Sequence, residues 1–212
     1  MNIRALMMGS PHRMSHVYRY SSIAVLRRQH VAEHTFYVSF YALNIAYALI
    51  REGFKVCIGK LLERAIVHDI DESHTGDFLR TVKYGTPGLK EALDGVSSSM
   101  MLKMVDELDT DLRLYSSWLC SKVDDLEGHI LEVADLAEVG SYVLEEIRLG
   151  NRHVAPILSE VAKYISQFMV CHSECPTRKY AQEICLLLHE QAVEFDCAGA
   201  EDIGRILAAT EQ

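Results

Sequence analysis

Basic residues are in short supply: 21 Lys and Arg stand against 30 Asp and Glu, a formal charge of −9 over 212 residues. A surface that grips a nucleic-acid polymer needs clustered Lys and Arg, so that class of partner is excluded, while a local basic pocket for one small anion is not. Proline (4) and glycine (12) are also few, which leaves long uninterrupted helices open. No stretch rich in Gly, Ser or Pro is long enough to separate domains. Apolar runs fall short of the roughly 18–20 residues that span a bilayer, and the segment "MNIRALMMGSPHRMSHVYRY" has no apolar secretory core, so a cytoplasmic protein without membrane attachment is expected. A stapled cysteine framework is missing too. Cys57, Cys120, Cys171, Cys175, Cys185 and Cys197 are dispersed through helical pattern, as free thiols in a reducing compartment would be. The "CHSEC" stretch from Cys171 to Cys175 matches no standard zinc-finger spacing and has no second pair, so structural zinc is not expected from it.

What remains reads as all-α. Residues 31–51, 57–69, 89–108, 123–149, 152–170 and 178–195 repeat apolar residues at three and four, without sustained alternation, and a short helix is expected after Ala198. Gly and Pro fall between these segments, in "REGFK", "YGTPGLK", "LGNRH" and "CPTRK". At this length one domain over 1–212 is the expectation, with a core at about 19–170 and C-terminal helices at 171–212.

Three polar groups lie on apolar stripes. His34 aligns with Val38, Tyr41 and Ile45; Asp69 with Leu62, Ala65 and Ile66; Asp135 with Leu131, Val139 and Tyr142. A buried carboxylate is costly unless a partner or metal answers it. Two such acids, with His34 and His68, ask for a shared cation. A mixed imidazole and carboxylate set with open positions suits Mn, Co, Fe, Ni or Zn better than Ca. His34, His68, Asp69 and Asp135 are therefore the candidate ligands, and such an ion activates water for attack on phosphorus. Adjacent residues on a helix point about 100° apart. His68 and Asp69 can reach one ion only where the helix ends in a bend, and "DESHTGD" supplies turn-forming residues there.

These residues carry a family resemblance. "EH" at 33–34, "HD" at 68–69 and a later Asp135 resemble the HD-domain metal-dependent phosphohydrolases. The likeness is closer to the bacterial 5′-deoxynucleotidase branch over roughly residues 19–151. It runs through Arg19 and its following aromatic, "VAEH", "HDxxExxTGD" ending at Asp77, "VKY" from Val82 to Tyr84, Asp135, "EE" at 145–146 and "GN" at 150–151. The resemblance implies an HD-domain helical bundle with the metal on the four ligands named above. It also implies that Glu72 handles protons during phosphoester cleavage. Asp77 resembles the residue near the sugar, and is equally well placed to cap the next helix. By aligned spacing, Arg19 and Lys83 fall on phosphate.

Tyr20 departs from the pattern, since the branch carries tryptophan after that arginine, against the sugar. His74 reads as a loop histidine, and Arg27 and Arg28 as surface residues or contacts for a longer phosphate tail. The expected substrate is a 2′-deoxynucleoside monophosphate, cleaved to deoxynucleoside and phosphate. Small phage relatives that release triphosphate from a dNTP such as dATP supply the alternative, and a non-catalytic nucleotide-binding helical module is the reading from another class. Apolar helices between Val123 and Phe168 further suggest a homodimer or higher homo-oligomer.

Overall fold

The computed structural model describes residues 1–78 and 80–210, except the side chains of Ser10, Arg80, Thr81, Tyr84 and Lys122. Its helices are α1 (Ile3–Met8), α2 (Ser10–Arg13), α3 (Val31–Arg51), α4 (Ile58–Val67), α5 (Glu72–Thr75), α6 (Arg80–Gly85), α7 (Leu89–Leu108), α8 (Arg113–Leu119), α9 (Leu126–Arg148), α10 (Ala155–Cys171), α11 (Arg178–Glu194) and α12 (Ala200–Thr210). Among the described residues the extended pairing is confined to an isolated antiparallel bridge, Tyr18 with His30.

α9 is the central element. Its N-cap Asp125 accepts from Gly128 N at 2.9 Å, and Gly140 lies so close to α11 that an added Cβ would stand 2.9 Å from Leu188 Cδ2. One side packs on α3 and α4 through Ile130, Leu131 and Ala134 against Val38, Ala42, Leu61 and Ala65. The other packs on α10 and α11, against which α12 lies in turn, and Leu158, Ile165, Leu188 and Ile203 are buried there. A third cluster joins Val31, Val67 and Ile70 to Met101, Met104 and Leu108 of α7.

Polar residues of α9 also face inward, each answered by a different segment. Glu127 accepts from Cys57 N at 2.9 Å and pairs with Lys60. Asp125 holds Arg64 (Nη1, 2.7 Å) and Lys60 (2.9 Å). Near the other end, Glu146, 1% exposed, accepts from Leu26 N at 2.7 Å, Arg27 N at 2.6 Å and Asn151 Nδ2 at 2.7 Å. Asn151 Nδ2 also donates to Ala24 O at 2.8 Å, and Tyr142 Oη to Arg27 O at 2.6 Å. These bonds fasten the strap of residues 17–30 across α9. They give the "EE" and "GN" signatures a structural role: Glu146 and Asn151 anchor the strap that carries Arg19 and Tyr20.

Candidate metal centre and substrate cavity

His34 lies in the first turn of α3, wholly buried. α4 ends at Val67, and His68 is its C-cap. The chain bends there, as the adjacency of His68 and Asp69 demands, so Asp69 lies beyond the helix. The α4 stripe therefore does not extend to it: Ile66 is 55% exposed, whereas Leu61, Ala65 and Val67 are buried. Asp135 comes from α9, about 15 Å along its axis from Asp125.

Across these three segments, His34 Nε2 lies 3.3 Å from Asp135 Oδ1 and 3.4 Å from Asp69 Oδ2. His68 Nε2 is 3.2 Å from Asp69 Oδ2 and 3.4 Å from His34 Nε2. Ligands of one tetrahedral ion stand roughly 3.3 Å apart for bonds of about 2.0 Å, and the separations of Asp69 from both rings, of Asp135 from His34 and of the two rings from each other are of that size. Among the described residues, the side chains within ion-pair reach of Asp69 and Asp135 are these histidines. The donor set fits a divalent ion. His34, His68 and Asp135 form a group with metal-ligand spacing.

Both rings are oriented from behind. His68 Nδ1 donates to Ala65 O at 2.7 Å, and His34 Nδ1 meets Glu138 Oε2, which turns each Nε2 toward the centre. Glu138 is 2% exposed and was not singled out by the sequence. It also accepts from Arg19 Nη1 at 2.9 Å and Gln29 Nε2 at 2.5 Å. Its position one α9 turn after Asp135, in "DLAE", was the available signal.

A cavity of about 630 Å³ opens on this cluster, lined in part by Arg19, Tyr20, His68, Asp69, Glu72, Asp77, Lys83 and Asp135. Glu72 opens α5, a new short helix, so its approach comes from the bend rather than from a continued α4. Its Oε2 is buried without a hydrogen-bond partner among the described residues. Burial, with the charges of Asp69 and Asp77, pushes this carboxyl well above the usual carboxylate range. A carboxyl that holds its proton can donate it.

Gly76, at φ +76° and ψ 166°, turns the chain in a region open essentially to glycine, and Asp77 Oδ2 then accepts from Tyr20 N at 3.1 Å. Asp77 thus both lines the cavity and fixes Tyr20. Tyr20 itself sits at φ +57°, its ring stacked on Tyr142 at 5.0 Å with planes 1° apart. Arg27 pairs with Glu33 and Glu145, and Arg28 lies 5.4 Å over the Tyr18 ring; neither lines the cavity, nor does His74.

An all-helical bundle with a His-Asp pair at a helix end, joined by a histidine and an aspartate from two other helices, is the arrangement of HD-domain phosphohydrolases. The model of the YfbR-like family, described as 5′-deoxynucleotidase YfbR-like, matches residues 7–184, and the chain belongs to that family. It is 26% identical over 146 residues to the 5′-deoxynucleotidase PM0747 of Pasteurella multocida, covering 66% of this chain and 72% of that one. A solved HD-domain phosphohydrolase from Listeria innocua superposes with a TM-score of 0.80 at 24% identity, over 99% of both chains. The HD phosphohydrolase DatZ of cyanophage S-2L, solved with dA and one catalytic Zn2+ ion, superposes with a TM-score of 0.57 at 17% identity, over 92% of this chain and 95% of that one.

Proposed function

We propose that this protein is a metal-dependent 5′-deoxynucleotidase that converts a 2′-deoxynucleoside monophosphate to deoxynucleoside and phosphate. One observation carries the reading: His68, Asp69 and Asp135 of the ligand cluster, the buried carboxyl of Glu72 and the cation Arg19 all border one cavity whose size suits a mononucleotide. An ion of the Mn, Co, Fe, Ni or Zn class held by His34, His68, Asp69 and Asp135 supplies a Lewis acid at the phosphate and an activated water.

The chain's own residues do the rest. Arg19, aimed by Glu138 and Gln29, and Lys83 of α6 offset charge on the phosphoryl oxygens. Water attacks phosphorus as the bond to the 5′-oxygen breaks, Glu72 gives its proton to the departing oxygen, and the proton lost by the attacking water is carried off on the phosphate product or returned to Glu72, which restores the acid. Tyr20, held by Asp77 and stacked on Tyr142, forms an aromatic wall for the sugar, and Asp77 stands beside it as acceptor.

A second reading, release of triphosphate from a dNTP, is favoured by the likeness to DatZ, whose structure holds dA. The engagement of Arg27 with Glu33 and Glu145 argues for one phosphate rather than three. A non-catalytic nucleotide-binding module has no use for a buried carboxyl oxygen left without a hydrogen-bond partner beside the ligands.

Chromatography of products from dNMP, dNTP and ribonucleotide panels with Mn or Co separates the readings. Phosphate and deoxynucleoside from dNMP support the first, intact triphosphate from dNTP replaces it with the second, and no product from any panel leaves the binding module.

The chain is also read as a cytoplasmic single domain, which its free thiols suit, and as a homodimer. The apolar residues of α9 and α10 are covered within the chain by α11 and α12. Support for a dimer comes instead from α3, where Phe36, Phe40, Tyr47 and Ile50 form an exposed stripe. Light scattering that gives a monomer at micromolar concentration rejects it.

A further inference from the structure

A second group of imidazoles borders the same cavity away from the four ligands. Asp124 comes from the turn before α9, His129 from the first turn of α9, and His172 from the C-cap of α10. One ligand atom from each lies within 4.8 Å of the others. His129 Nε2 is 2.6 Å and His172 Nδ1 3.7 Å from the same oxygen, Asp124 Oδ1. The two rings stand 4.1 Å apart between centroids, tilted by 47°, over the buried Phe168.

We propose that Asp124, His129 and His172 form a second divalent-metal site, of the zinc class, at the mouth of the cavity. Two imidazoles and one carboxylate are a donor set for borderline ions such as Zn2+, with the fourth position left to water. The observed separations of 2.6 and 3.7 Å bracket the roughly 3.3 Å of a tetrahedral shell, so movements of about half an ångström would set Asp124 at ligand spacing from both rings. Asp124 can make that movement, since its side chain is 81% exposed, while His129 and His172 are 14% and 23% exposed and held by packing.

His129 has the backing a ligand needs. Its Nδ1 lies 3.1 Å from Cys175 Sγ, which lies 3.0 Å from Oγ1 of the buried Thr177. With Nδ1–H donating to sulfur, Nε2 faces Asp124 with a bare lone pair, and a cation between nitrogen and oxygen satisfies both. His172 and Cys175 both belong to the "CHSEC" stretch, which lacks a second ligand pair in sequence; the fold brings Asp124 and His129 to it. A bound ion would tie the turn before α9 to the end of α10 and add positive charge to a rim that also carries Glu132 and Glu160.

The test is metal stoichiometry. Chelator-stripped full-length protein is loaded with Zn2+, desalted, and its metal content measured, in a Cys57→Ser/Cys171→Ser background that removes the exposed thiols. Two equivalents are expected. Asp124→Asn, at an exposed position that leaves folding intact, and His172→Gln should each retain one equivalent with unchanged circular dichroism. Asp135→Asn should also retain one, and combining it with Asp124→Asn should leave none. Two equivalents retained by both Asp124→Asn and His172→Gln would overturn the site, as would a single equivalent in the parent that Asp135→Asn abolishes. Failure of the four-ligand centre alone appears differently, as one equivalent that Asp124→Asn removes and Asp135→Asn does not.

Discussion

Two acid-bearing nodes lie on α9, and they are built on opposite principles. At Asp125 one carboxylate meets Arg64, Lys60 and the Gly128 N–H, so charge is answered inside the chain. Burial works against ionisation there, but these partners hold Asp125 far below the usual carboxylate range. Around Asp135, Asp69 and Glu72 join it while the ion-pair partners of the two aspartates are histidines. Arg19, the nearby guanidinium, is already engaged by Glu138. A closed account at one node and an open one at the other separates a structural ion pair from the node proposed to hold a cation.

The largest effects should come from breaking the open node. Asp135→Ala is expected to abolish metal retention at the His34/His68/Asp69/Asp135 centre and to lower turnover at least about 1,000-fold, while the metal-free protein melts no lower than its parent. A clear loss of metal-free stability would place Asp135 with the structural pairs instead. Glu72→Gln should lower turnover by roughly 100- to 10,000-fold with metal content unchanged, the range for a lost proton donor. Turnover that survives this change would remove Glu72 from the reaction.

The closed node should respond in the opposite currency. Asp125→Ala leaves Arg64 buried without its partner and is expected to cost about 3 kcal/mol in urea unfolding, with metal affinity intact. The sign of its pH dependence follows from the depressed value. The contribution is fully present above the ordinary carboxylate pKa and disappears as pH falls through the lowered one, so parent and variant should converge in stability in strong acid. Glu138→Gln touches the rear of His34 rather than the centre, and a 10- to 100-fold loss of metal affinity or activity is expected. Tyr20→Phe removes a buried hydroxyl without a hydrogen-bond partner among the described residues, so stability should hold or rise by up to about 1 kcal/mol.

Much of this contrast was legible in the sequence, because helical periodicity and ligand chemistry are local signals. The expected helices at 31–51, 89–108 and 178–195 correspond to Val31–Arg51, Leu89–Leu108 and Arg178–Glu194. The tail helix is Ala200–Thr210. The short helices α1, α2, α5, α6 and α8 were not anticipated, since four to seven residues give too little periodicity to register. His34 and Asp135 stood out as candidates because a polar group on an apolar stripe is conspicuous; the stripe read for Asp69 ends with α4 at Val67, so that residue and His68 were marked by the His-Asp pair itself. Glu138 was passed over: its place one turn after Asp135 was a signal, but a weak one in a helix rich in acids. The convergence of Asp124, His129 and His172 depends on tertiary packing that no spacing rule encodes.

The anchoring of the strap by Glu146 and Asn151 has a practical consequence. The strap that carries Arg19 and Tyr20 is fastened at the far end of α9, so the proposed reaction centre is in part aligned from a helix terminus that does not line the cavity. A loss-of-activity screen would score Asn151 alongside residues that bind phosphate. Anyone transplanting the centre onto another helical bundle would have to carry that terminus with it.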